Sequence, residues 1–245
     1  MDNRLYLLFL LTIVFGIQDA ACQLKSFIDL SIETGSAFRD LNNGNDQSDT
    51  QYTIDIRDQN EVSKSYWRIG LSYNRNILSR IFFRTGLRIS KIGYESNDLQ
   101  HLLGGNPYSD YPHMPGRVID VFAPVQIHFD HYHLELPMAF RYEILKSRLS
   151  PFVEAGVNVN YLLNAYSNVQ IGDNDNTRVS ILNEENFNRI QFGYHFGAGA
   201  SYRIEGDLQL FTQLRFNFLI TSTTKSAVEE RLNTTGLELG VRSGF

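Results

Sequence analysis

After its first two dozen residues the chain alternates apolar and polar residues in long runs. An alternation of period two places one set of side chains on each face of an extended strand. Eight such segments follow one another, at about 26–38, 62–74, 81–94, 126–142, 152–163, 190–203, 207–221 and 234–245. Most run to about 12–17 residues, against ~5–6 for the common globular strand. No segment shows a helical period. Strands this long suit a tilted crossing of a bilayer with projections beyond it.

The connections alternate in length. The second and third segments meet through "NRNILSR", the fourth and fifth through "EILKSRLS", and the sixth and seventh through "IEGDL". The remaining connections, about Arg39–Glu61, Glu95–Val125, Asn164–Asn188 and Ser222–Leu232, are longer. Consecutive hairpins then gather the short turns at one end and the long loops at the other. Outer-membrane barrels have this asymmetry, with short periplasmic turns and long outer loops.

The N-terminus agrees with export. Arg4 precedes an apolar run from Leu5 to Ile17, and Ala20, Ala21 and Cys22 follow. The run is too short for the ~20 residues of a spanning helix and has the form of a secretory signal. Asp19 departs from a lipoprotein signal, so cleavage near Cys22 or Gln23 is expected. The domains are therefore residues 1–22, a signal peptide, and 23–245, the barrel. A net charge of −5 gives no basic footprint for nucleic acid. One cysteine excludes an internal disulfide framework.

A soluble barrel would turn its apolar face inward. Here the polar face carries mid-strand arginines spaced by glycines, which suits a narrow lumen. Trp67, Tyr73, Tyr142, Tyr161 and Tyr202 sit near the ends of apolar faces, like interfacial girdles. Phe245 lies on the apolar face of the last strand, as in the C-terminal signal read by outer-membrane assembly machinery. With the polar face inward, the lumen receives Arg68, Arg84, Arg88, Arg141, Arg203, Arg215 and Arg242 against Asp29, Glu33, Glu135, Glu154 and Glu238. His131, His133 and His195 join them. Eight strands leave room only for side chains, and buried charges must be paired. The expected fold is all-β: an eight-stranded antiparallel transmembrane β-barrel with a plugged, charge-paired interior.

"HLELPMAFRYE" (133–143) resembles a strand of the PorT-type outer-membrane barrel family common in Bacteroidetes. "PFVEAGVNVNYLL" (151–163) is similar to the strand that follows it there. "FGAGASYRI" (196–204) and "QLRFNFLITS" (213–222) resemble later strands, with Phe216 replacing a tyrosine. The resemblance implies the fold and an outer-membrane location. One member type serves a secretion and gliding system, and nothing here singles it out.

"HYHLE" sets His131, His133 and Glu135 on one strand face, a spacing that would suit zinc, though membership of the lumen network is the favoured reading. Asp173 and Asp175 lie in a loop that lacks a calcium-loop pattern. The acidic first loop, with Asp40, Asp46, Asp49, Asp55, Asp58 and Glu61, reads as a solvated face. The second long loop is unusually apolar for its length. Its Leu102, Leu103, Tyr108, Tyr111, Met114 and Phe122 form the candidate partner-binding surface. No nucleophile–base arrangement, phosphate loop or cofactor motif is found, so no enzymatic activity is expected. The expected partners are outer-membrane lipid, the assembly machinery and a protein held by the outer loops. Two functions fit: an anchor and interaction protein, with a subunit role in a larger secretion or assembly complex as its finer form, or a narrow channel for small solutes.

Overall fold

The computed structural model describes residues 26–44, 48–96, 125–171, 175–182 and 186–245. The expected signal peptide, Asp173 and the candidate partner-binding residues Leu102, Leu103, Tyr108, Tyr111, Met114 and Phe122 lie outside them.

In chain order the elements are β1 (Ser26–Asn43), α1 (Ser48–Asn60), β2 (Glu61–Leu78), β3 (Ile81–Ser96), β4 (Val125–Glu143), β5 (Leu149–Ile171), β6 (Asp175–Ser180), β7 (Ile190–Glu205), β8 (Leu208–Leu219) and β9 (Val228–Gly244). Every strand pairs antiparallel with its neighbours. β1 pairs with both β2 and β9, and β4 pairs with β5, so eight strands close into a ring. β6 stands outside the ring, folded back on the far end of β5. Closure leaves no free sheet edge around the ring, which is what a strand in hydrocarbon requires. Gly206 supplies the left-handed residue of the β7–β8 turn, at φ 55°, where a Cβ would be strained.

Burial is inverted relative to a soluble protein. Leu30 and Leu71, on the outer face, are 60% and 57% exposed, while Arg141 and Arg215, on the inner face, are 0% exposed. Water does not reward that arrangement, and a hydrocarbon surround does. On β7 the outward apolar residues run from Ile190 to Ile204. Fourteen residue steps at ~3.4 Å, tilted by ~40°, cover about 36 Å, enough for the ~25 Å apolar band of such barrels and the girdles that flank it. Trp67 and Tyr161 mark its long-loop edge, and Tyr73, Tyr142 and Tyr202 its short-turn edge. Phe245 stays outside, with its backbone N donating to Ser26 O at 3.1 Å and its ring 6.5 Å from that of Tyr73.

The sequence differs from the structure in the long connections. The first holds α1, where no helix was expected. Tyr52, Ile54 and Ile56 stand two apart, which is a strand's spacing, and only Ile54 is fully buried, against Leu41 and Val228. β1 extends to Asn43, and the connection expected at 164–188 is largely the far half of β5 and the β6 hairpin.

Candidate functional site

The interior of the ring is filled in layers. At the short-turn end the rings of Phe27, Phe82, Phe152 and Phe211 are buried as a floor, with Phe27 edge-on to Phe82 at 6.0 Å. Three guanidinium groups lie over it. Arg141 sits 4.0 Å from the Phe152 centroid, Arg242 5.5 Å from Phe27 and Arg84 5.5 Å from Phe211. Cation–π contact lets a charged layer rest on an apolar one.

The middle layer is an ion-pair network drawn from seven of the eight ring strands, with His195 of β7 beside it. Arg242 forks onto Asp29 with Nε 2.8 Å from Oδ1 and Nη2 3.0 Å from Oδ2. Glu238 accepts from Arg84 at 2.6 Å, Arg215 at 3.2 Å and Arg88 at 3.3 Å. Glu154 accepts from Arg141 at 2.9 Å and Arg215 at 3.1 Å, and His195 Nε2 stands 3.7 Å from it. Arg68 donates to Glu33, and its Nε forms an ion pair with Glu135 at 2.7 Å. Bidentate and shared guanidinium–carboxylate contacts are the strongest that a desolvated lumen offers.

Fourteen of the fifteen residues assigned to the lumen from sequence are buried inside the ring; Arg203 is not. It sits below the floor, exposed, where the strand's inward parity opens onto the short-turn mouth. There it lines a cavity of about 330 Å³ with Glu143, Lys146 and Arg148. Six arginines and five carboxylates remain in the charged layer. His131 is drawn instead into the layer above, edge-on to Tyr94 at 6.4 Å and Phe187 at 5.8 Å. The carboxylate of Glu135 is taken by Ser90 Oγ, at 2.6 Å, and Arg68, so the His131–His133–Glu135 set does not converge on one point.

That third layer is apolar. Tyr94 and Phe129 stack at 4.6 Å, with Ile92, Ile127, Leu162 and Leu232 around them. Between it and the network is a cavity of about 20 Å³ lined by Arg68, His133, Asn160, Gln191 and Thr234, room for about one water. The neutral members were not singled out from sequence. Tyr66, Gln191, Gln213 and Asn217 share the inward parity of the arginines, and that parity is the signal that finds them.

A second ion cluster, also unforeseen, closes the long-loop end. Arg57 of α1 donates Nε to Glu61 at 2.9 Å and Nη2 to Glu230 at 3.0 Å, and Arg39 pairs with Glu61. Glu230 is above the apolar band, since beyond Leu237 the positions of outward parity on β9, Thr235, Asn233 and Arg231, are polar. Burial there favours the neutral acid, but the guanidiniums of Arg57 and Arg39 outweigh it and hold the carboxyl below its ordinary value. A carboxylate depressed in the folded state contributes its stability above its unfolded pKa and loses it as pH falls through the folded one. α1 is therefore expected to stay docked at neutral pH and to loosen below the usual carboxylate range. Glu230→Gln should loosen it at neutral pH, lowering amide-exchange protection over residues 50–60 by about ten- to a hundredfold, the value of a charge-assisted hydrogen bond of ~1.5–3 kcal/mol. Equal protection in both proteins would refute this role for Glu230.

Among known proteins, the sequence model of the outer membrane protein beta-barrel domain family matches residues 18–225. No curated protein matches the chain. Neisserial surface protein A is similar in structure at 12% identity, covering 90% of this chain and 97% of that one with a TM-score of 0.47. OprG from Pseudomonas aeruginosa is similar at 11% identity, with coverages of 90% and 96% and a TM-score of 0.47. The outer membrane enzyme PagL is similar at 14% identity, with coverages of 86% and 97% and a TM-score of 0.41.

Proposed function

Because the chain belongs to the outer membrane protein beta-barrel domain family and resides in the outer membrane, we propose that it works as a sealed anchor: the barrel fixes the protein in the bilayer, and its outer segments engage a protein partner. The observation that carries this reading is the lumen. A phenylalanine floor, a salt-bridged middle and an apolar upper layer succeed one another along the axis. A solute path would need all three to give way. The partner surface in this reading is the apolar connection between Glu95 and Val125, with Leu102, Leu103, Tyr108, Tyr111, Met114 and Phe122. A subunit role in a larger secretion or assembly complex, as in one PorT-type member, is the finer form of the same reading. No reaction is assigned to the chain.

The test has two readouts on the full chain. Protein purified from native outer membranes in mild detergent is expected to bring a stoichiometric partner, identified by mass spectrometry and lost when Glu95–Val125 is shortened. In planar bilayers the same sample is expected to show no steady conductance. A steady single-channel current with no partner would replace the anchor with a narrow solute channel.

A further inference from the structure

The outer wall carries a charged cluster that neither the lumen nor the anchor reading uses. It spans β2 to β5, with Arg178 of β6 beside it, just above the apolar band, which ends there at Ile89 and Leu134. Lys91 follows Ile89 on the outward face of β3, and Asp130 follows Tyr132 on that of β4. Regular alternation would turn Lys64 inward, beside Tyr66 and Arg68. A β-bulge between Ser63 and Trp67 turns it outward instead. A second bulge, in β5 opposite Tyr132 and His133, makes Leu163 an extra residue on the outer wall, below Asn168. The other two register shifts of the ring lie beside short turns. Bulges re-aim side chains, and both of those away from the short turns serve this one patch.

The result is a preformed cationic cradle. Lys64 Nζ is 2.8 Å from Asp130 Oδ1 and Lys91 Nζ 3.0 Å from Oδ2, while Asn168 Nδ2 donates to Oδ2 at 3.0 Å. Each ammonium has three donors and uses one on Asp130. Arg178 of β6 lies over the Tyr166 ring at 3.8 Å and donates to the Tyr132 hydroxyl at 3.5 Å. With His128, Glu95 and Gln170 these residues line an open concavity. Glu95 is engaged by His128 at 2.9 Å. The two lysines and Arg178 outnumber the two carboxylates, and below them Ile89, Leu134, Tyr161 and Leu163 give an apolar wall. Positive groups over an apolar wall at the girdle match a lipid with an anionic head.

We propose that this patch is a binding site for a phosphate-bearing lipid of the outer leaflet, its headgroup on Lys64, Lys91 and Arg178 and its acyl chains against the wall beneath. Lysine serves as a point charge for phosphate, and each cation at a membrane surface strengthens anionic-lipid binding about fivefold. The inference rests on the outer-membrane location alone, so an open lumen would leave it standing.

The full chain in a neutral detergent, titrated with bisphosphorylated lipid A and followed by native mass spectrometry, tests it. The wild type is expected to retain the lipid, and the Lys64→Gln/Lys91→Gln variant to bind it about 30-fold more weakly, two such increments. Arg178→Gln alone, which leaves the Asp130 pairs intact, is expected to weaken binding about fivefold. Arg231→Gln, on the opposite wall at β9, should leave it unchanged. Equal binding by all four proteins would overturn the site. Competition by inorganic phosphate at concentrations like those of the lipid would overturn the lipid assignment in favour of a soluble anion.

Discussion

Replacing Glu238 with leucine is expected to destabilise the barrel by about 3–5 kcal/mol, the cost of breaking one partner out of a buried ion pair. Glu238 accepts from Arg84, Arg88 and Arg215. Without it, six arginines face four carboxylates in a space closed above and below by apolar layers. In the sealed-anchor reading, bulk water is kept from screening the surplus. Urea unfolding in lipid vesicles reads the loss as a lower midpoint. Adding Arg88→Met should recover most of it, because Arg88 holds its carboxylates most loosely, at 3.3 Å and 3.9 Å. The double variant keeps the idea testable if the single one fails to insert. A wild-type midpoint for Glu238→Leu would mean that the lumen is solvated, and the sealed-anchor reading would fall with it.

The second large effect belongs to the other face. Leu71 lies between Trp67 and Tyr73, flanked by Leu30 and Leu87. Leu71→Arg places a guanidinium inside the apolar band, and up to about 2–4 kcal/mol of stability should go. Val62→Arg, on the same strand beyond the girdle, should cost about 0–1 kcal/mol. Matched unfolding curves in vesicles give both values. Small, equal costs at the two positions would mean that lipid does not cover this face.

The architecture was legible because parity is robust. One alternation, repeated eight times, separated the lipid face from the lumen face and put Arg84, Arg141 and Glu154 on the face that the structure buries, without any knowledge of their partners. Parity fails where the backbone stops being regular. Lys64 lies on the outer wall because one extra residue in β2 shifts the phase, and nothing in "EVSKSYW" announces a bulge. Arg203 keeps the inward phase but lies past the floor, and phase carries no information about depth. α1 escaped because its apolar residues are spaced like a strand's and its docking depends on Arg57, a residue that reads as solvated. The pairings within the network were beyond reach for a different reason. Asp29 meets Arg242 across 213 positions, and only ring closure brings them together.

That pairing bears on how the barrel is made. β1 and β9 are the two edges of the sheet until it closes, and each carries half of the Asp29–Arg242 fork. An open sheet in hydrocarbon would leave Asp29 with the looser contact to Arg84, at 3.7 Å, along one edge and Arg242 without its fork along the other, beside two rows of unbonded amides. Half-zipped forms are therefore costly on two counts, and the last seam should form in the same event that expels lipid from the interior. Assembly of such a chain is expected to be all-or-none, with the Asp29–Arg242 fork acting as a latch on the last seam.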